Sequence, residues 1–109
     1  QELLRRRRRP TAVCAANDQS AIGLLYQLLR AGVDVPADIA VAGYDDSTLA
    51  RLAHVDLTTV SQEPGQQAER AVRAVVERLD ENRQDRLDVL LEPRLVVRHT
   101  TAPQVRRPA

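Results

Sequence analysis

Residues 12–19 read Ala-Val-Cys-Ala-Ala-Asn-Asp-Gln and residues 39–46 read Ile-Ala-Val-Ala-Gly-Tyr-Asp-Asp. Each stretch is a short apolar run that ends in polar residues, a pattern typical of a buried β-strand followed by a loop or helix. The segment between them, from about Gln19 to Arg30, carries alanine and leucines at helical spacing. Strand, helix and strand in this order predict a βαβ unit with parallel strands and a right-handed crossover. Since ligands bind beyond the carboxyl ends of such strands, the two polar clusters are predicted to share one edge of one sheet.

Helix-capping residues and helix-ending glycines and prolines predict further elements. Asp18 is the predicted N-cap of the first long helix, and Asp46 or Ser47 that of a short helix through Leu49 to Ala53. Gly32 and Pro36 are expected to end the long helix. The remaining predicted elements are a helix end before Pro10, strands at Thr11–Ala16, Ile39–Gly43, Leu57–Val60, Leu87–Leu91 and Arg94–His99, and an amphipathic helix at Pro64–Glu81.

Composition narrows the function classes. The 109 residues suffice for one small domain, and a formal net charge of +1 gives no overall attraction to polyanions. Aromatic residues make up 2% of the chain, which argues against a stacking surface for single-stranded nucleic acid. Arg5–Arg9 cannot all lie on one helical face, so this run is interpreted as a solvated connector. Cys14 is expected to be a buried small residue, and without a signal peptide or membrane span the expected location is the cytoplasm.

Four ordered blocks of the chain resemble the lactose/galactose-repressor (LacI/GalR) family. They are residues 10–23 (Pro-Thr-Ala-Val-Cys-Ala-Ala-Asn-Asp-Gln-Ser-Ala-Ile-Gly), 35–46 (Val-Pro-Ala-Asp-Ile-Ala-Val-Ala-Gly-Tyr-Asp-Asp), 57–62 (Leu-Thr-Thr-Val-Ser-Gln) and 94–103 (Arg-Leu-Val-Val-Arg-His-Thr-Thr-Ala-Pro). The resemblance implies an α/β fold: the Rossmann-like, parallel-sheet lobe of a periplasmic-binding-protein-like type I effector domain, with an incomplete second lobe. It also implies a repressor that binds operator DNA through an N-terminal head, which this chain is expected to lack.

The resemblance divides the chain between two lobes. Residues 1–10 would be a helix end and connector, 11–63 the C-terminal lobe, 64–91 a helix and strand of the N-terminal lobe, 92–103 a strand returning to the C-terminal lobe, and 104–109 a disordered tail. The helix at 64–81 would then lack its usual sheet. We expect its apolar face to pack elsewhere on the chain or to drive self-association, because an exposed apolar stripe is unfavourable.

The resemblance also assigns residues to an effector site. Asp45 and Asn17 match effector-contacting positions, and Gln62 matches a position near the interlobe crossover that is either a ligand contact or a hinge residue. A carboxylate that accepts hydroxyl hydrogen bonds suits a sugar or a related metabolite. Asp18 is expected to be a cap or structural anchor, Tyr44 to pack under the site, and Asp46 to cap the short helix. The implied homodimer would use surfaces around Ile22, Leu49 and Leu52, although intramolecular packing explains these residues equally well.

Two other functions remain open at this point. A periplasmic-type solute-binding protein shares the implied fold. An enzyme could use Asp18, Asp45 and Asp46 to hold Mg²⁺ for phosphoryl transfer, although the chain has no lysine to assist at a phosphate. His54 and His99 lack metal-ligand spacing and are expected at the surface. We therefore expect no catalytic residue, metal, cofactor or membrane association.

Overall fold

A computed structural model describes residues 2–101 of the chain, without the side chains of residues 3 and 4. Its elements, in chain order, are helix α1 (Glu2–Arg5), strand β1 (Ala12–Cys14), helix α2 (Asp18–Arg30), strand β2 (Ala40–Ala42), a 3₁₀ turn (Leu49–Arg51), strand β3 (Thr59–Ser61), helix α3 (Pro64–Leu79), strand β4 (Arg94–Val96) and a second 3₁₀ turn (His99–Thr101). The predicted tail at 104–109 lies outside the described residues.

Within residues 2–101 the strands form two two-stranded ladders, β1–β2 and β3–β4, which an isolated bridge aligns in the order β1, β2, β3, β4. β1 and β2 pair in parallel, with Cys14 opposite Ala42. A parallel bridge between Ala42 and Thr58 joins β2 to the start of β3, and β4 pairs antiparallel with β3. The predicted βαβ unit and α/β fold class are confirmed, and the carboxyl ends of β1, β2 and β3 meet at one edge.

The core lies between α2 and the centre of this sheet. Leu28 from α2 packs with Ile39, Val41 and Leu57, each no more than 1% exposed. β1 was predicted to be buried, and this is wrong: Val13 is half-buried, and Cys14 is exposed. Among the described strands, β1 pairs only with β2, so its other edge and part of its surface stay open.

The ends of α2 are fixed by local hydrogen bonds. The Asn17 side chain, and not Asp18 as predicted, is the N-cap, since its Oδ1 accepts from the Ser20 amide at 2.8 Å. At the other end Gly32 has a φ of +68°, a conformation that glycine adopts without steric cost, and its amide donates to the Leu29 carbonyl. The predicted stop at Gly32 is therefore confirmed.

Helix α3 forms as predicted but buries none of its residues. Its large apolar side chains are exposed, from 44% for Val76 to 76% for Leu79. The predicted strand at Leu87–Leu91 is wrong, because no described strand lies beside this segment to complete a hydrogen-bonded ladder. The segment instead turns alternate residues, Leu87, Val89 and Leu91, toward Ala71 and Ala74 of α3 across a cleft of about 420 Å³.

Two surface features complete the description. Arg5–Arg9, His54 and His99 are exposed, as expected for a solvated connector and surface histidines. Among residues 2–101, no helix combines the length and apolar character needed to cross a bilayer.

Candidate functional site

Three loops meet at the carboxyl edge of the sheet. The loop after β2 accepts a hydrogen bond at the Tyr44 carbonyl from the Asp18 amide, 2.8 Å away, and donates from the Asp45 amide to Val60 in β3 at 2.9 Å. These backbone bonds bring the ends of β1, β2 and β3 together. Both polar clusters found in the sequence therefore lie at one edge, as predicted.

Asp45 and Gln62 are in direct contact at this edge. The Gln62 Nε2 donates to Asp45 Oδ1 at 3.1 Å, and both side chains are exposed. The Gln62 carbonyl accepts from Gln67 Nε2 at 2.7 Å, which fixes the start of the crossover into α3. No described residue donates to Asp45 Oδ2 or to the Gln62 side-chain oxygen, so both can accept hydrogen bonds from a ligand.

Asn17 lies next to this pair through the backbone bond between Asp18 and Tyr44. Its Oδ1 is occupied by the cap of α2, whereas no described residue accepts from its Nδ2. The cap fixes the orientation of the amide, so Nδ2 is a preset donor at the edge. Capping and ligand contact are therefore compatible tasks for Asn17.

Asp18 is a structural anchor at 1% exposure. Its Oδ2 accepts from the Ser47 amide at 2.7 Å, and its Oδ1 accepts from the Thr59 hydroxyl at 2.5 Å. The carboxylate thus ties the loop after β2 to β3 from below. Gly43 makes this possible, because a Cβ at that position would overlap Asp18 Oδ1.

Asp46 does not cap the short helix; its carboxylate lies between two arginines. Arg98 donates to Oδ1 at 2.6 Å and Arg51 to Oδ2 at 2.9 Å. Burial raises the pKa of Asp46, but the hydrogen bonds and positive charges of Arg98 and Arg51 outweigh it and hold the pKa below its ordinary value. The N-cap position of the 3₁₀ turn is Thr48, one residue after the predicted alternative Ser47, although the Ser47 hydroxyl accepts from the Ala50 amide at 3.3 Å.

Tyr44 is 36% exposed, and the packing of its ring under the site stays a prediction. Its contribution is the carbonyl that accepts from Asp18, and this contact depends on the backbone and not on the ring. Within residues 2–101 no group of three or more His, Cys, Asp or Glu side chains is placed to hold a metal ion.

Several residues that contribute to the site were not predicted from the sequence. Arg51, Arg98 and Thr59 hold the two buried aspartates, and Arg94 pairs with Glu63 at 3.0 Å beside Gln62. The hydrogen bond from Arg94 holds the pKa of the half-buried Glu63 carboxyl below its ordinary value. Arg94 and Arg98 lie in the block with family resemblance, but nothing local in sequence pairs them with residues more than thirty positions away.

The predicted dimer residues are placed differently from one another. Ile22 is half-buried against the core, whereas Leu49 and Leu52 are 49% and 41% exposed. The homodimer stays a prediction.

Comparison with known proteins identifies the domain. The model of the periplasmic binding protein-like domain family matches residues 1–101. The arabinose metabolism transcriptional repressor of Halalkalibacterium halodurans is 34% identical over 102 residues, covering 89% of this chain and 27% of the repressor. A solved LacI transcriptional regulator from a Rhodococcus species matches at 48% identity with a TM-score of 0.84, over 94% of this chain and 37% of that one. A LacI family transcriptional regulator from Enterococcus faecium, solved with bound ribose, matches at 29% identity with a TM-score of 0.82 over the same shares.

These relatives are transcriptional regulators, which favours the regulator over the solute-binding protein and the enzyme. The chain spans 27% of the length of the curated repressor and 37% of each solved chain. The match to these regulators is specific because it agrees with the four sequence blocks, the strand order and the common edge of the two polar clusters. The chain belongs to the periplasmic binding protein-like domain family, in the form found in LacI/GalR transcriptional regulators.

Proposed function

We propose that this chain supplies one wall of the effector site of a LacI/GalR-type transcriptional repressor, and that the effector is a sugar or a closely related polyol. The observation that carries the proposal is the contact between Asp45 and Gln62, with Asn17 beside them at one sheet edge. Together they offer charged and neutral acceptors and one preset donor. This mixture suits the hydroxyl groups of a sugar, each of which donates and accepts.

Ribose bound to the Enterococcus faecium regulator and the arabinose repressor of Halalkalibacterium halodurans support the choice of ligand class. The site performs no chemical step in this proposal. Its effect is differential binding, since an effector shifts a regulator between states only by the difference in its affinity for them.

The proposed regulator is a cytoplasmic homodimer that contacts operator DNA through a separate N-terminal head. Residues 11–63 and 92–103 would form one lobe, and residues 64–91 would belong to the other. The exposed apolar face of α3 supports this division, because a helix of this pattern requires a partner. The residues assigned to the first lobe, by contrast, already form a core between α2 and the strands.

An NMR titration tests the proposal on the chain itself. Ribose or arabinose, added to about 100 mM, is expected to shift the side-chain amide signals of Asn17 and Gln62, with millimolar or weaker affinity because one wall alone is present. Asp45→Asn is expected to weaken binding about tenfold or more by removing a charged acceptor. Asp34→Asn is the matched control, since Asp34 is an exposed acid in the segment between α2 and the start of β2, away from the carboxyl ends of the strands.

The titration has clear contrary results. Unchanged Asn17 and Gln62 signals at the highest concentration, or equal shifts in Asp45→Asn and the wild type, would argue against a sugar site here. Tight, saturable binding by the chain alone would contradict the proposal that the site needs a second wall.

A further inference from the structure

Two consecutive residues at the site hold a strained backbone. Asp45 has a φ of 118° and Asp46 a φ of 50°, both in the region that side chains other than glycine's rarely adopt. Such conformations are energetically unfavourable and persist only where surrounding contacts enforce them. Asp45 has its own backbone bond to Val60, and the contacts that hold Asp46 constrain the strained backbone next to it.

The Asp46 carboxylate is held by arginines from two different parts of the chain, and its amide donates to the Thr59 hydroxyl. Arg51, in the first 3₁₀ turn, donates both to the Asp46 carboxylate and to its carbonyl. Arg98, which follows β4, donates to the other carboxylate oxygen, and this pair is almost fully enclosed, with the Asp46 side chain 4% and the Arg98 side chain 16% exposed. A buried charge pair with hydrogen bonds resists movement because removing one partner leaves the other uncompensated.

Arg98 is itself rigidly placed. Its Nη1 donates to the Leu57 carbonyl at 2.9 Å, and its backbone amide donates to the Thr58 hydroxyl at 2.9 Å. Leu57 and Thr58 lead into β3, and Gln62 directly follows that strand. Arg98 therefore connects the loop that carries Asp45 to the strand that presents Gln62, without reaching the edge where either side chain is exposed.

We propose that Arg98 is a positioning residue for effector binding: through Asp46 it fixes the backbone of Asp45, so that Asp45 meets Gln62 in the geometry that a ligand requires. The segment after β4 thus contributes to effector affinity without touching the effector. This inference rests on the proposed function for its ligand, but its structural core, the dependence of the Asp45–Gln62 contact on Arg98, does not.

The test uses the ligand-free chain first. In Arg98→Gln, the Gln62 side-chain amide signals are expected to move toward those of a free glutamine. Backbone hydrogen exchange at Asp45 and Asp46 is expected to rise about tenfold or more relative to amides of α2. Arg51→Gln is expected to act in the same direction but less, and it is the safer variant because the Arg51 side chain is 60% exposed. Arg86→Gln is the matched control, since Arg86 pairs with Asp88 at the surface.

Two results would overturn the proposal: wild-type Gln62 signals and exchange rates in Arg98→Gln, or, if that variant does not fold, the same wild-type behaviour in Arg51→Gln. A ribose titration of the folded variants separates the inference from the proposed function. If Arg98→Gln loses the Gln62 contact and even the wild type shows no response to ribose, the positioning role is supported and the proposed sugar ligand is refuted. A ribose response in the wild type that Arg98→Gln leaves equally strong supports the site and refutes the positioning role.

Discussion

Replacing Gly43 by alanine tests how closely β2 and α2 must approach below the site. The added Cβ would overlap Asp18 Oδ1 and lie 3.0 Å from Leu57 Cδ2 and 3.2 Å from Asp18 Cα. The Asp18 carboxylate cannot retreat freely, because it accepts from the Ser47 amide and the Thr59 hydroxyl. The methyl group must therefore displace a buried carboxylate, the backbone of α2, or both.

The magnitude follows from these contacts. Forcing one extra carbon into a packed interior costs about 1–3 kcal/mol. Weakening a hydrogen bond to a buried charged group costs about 1.5–3 kcal/mol when it is lost entirely. Since the two effects overlap, we expect Gly43→Ala to lower the free energy of unfolding by about 2–4 kcal/mol, a large share of the 5–15 kcal/mol typical of a small domain.

Urea unfolding followed by circular dichroism measures this change, and Gly23→Ala is the matched control. Gly23 lies inside α2, and a Cβ there would meet no atom within 4 Å. The same substitution should therefore stabilise the helix by about 0.5–1 kcal/mol. The opposite signs at the two glycines are the core of the prediction. A Gly43→Ala variant as stable as the wild type would show that the tight approach to Asp18 is not real.

Two further predictions concern acid stability and association. The pKa of Asp46 is held below its ordinary value of 3.8, so its contribution to stability is present above that pH and is lost as the pH falls through the lowered folded pKa. Unfolding midpoints measured between about pH 5 and pH 2 should therefore fall less steeply for Asp46→Asn than for the wild type. Equal slopes would refute the pairing with Arg98 and Arg51. The exposed face of α3 should drive self-association, so light scattering across a wide concentration range should show species larger than a monomer. Val72→Glu should reduce these species, whereas Arg73→Gln, which changes the net charge by the same amount on the same helix, should not. A monodisperse wild-type monomer would contradict the prediction.

The elements that were predictable share a local cause. Helix α2 and helix α3 follow from apolar spacing and from Gly32 and Pro64 at their ends, and the shared edge follows from two apolar runs that end in polar residues. The errors concern what lies beside an element. Cys14 and Leu87–Leu91 have apolar sequences suited to a buried strand, but burial depends on a neighbour that the local pattern does not specify.

The site shows the same division more sharply at Asp45 and Asp46. The two residues are chemically identical and adjacent, yet one is exposed beside Gln62 and the other is buried against Arg98. No local signal distinguishes them, because the difference depends on an arginine that lies 52 positions further along the chain. Asp46 was expected to cap a helix for this reason, while the carboxylate in fact joins three segments. Asp45, the residue proposed to meet a ligand, was assigned through the family resemblance, whereas the residues that give it its geometry become visible only when the chain is folded.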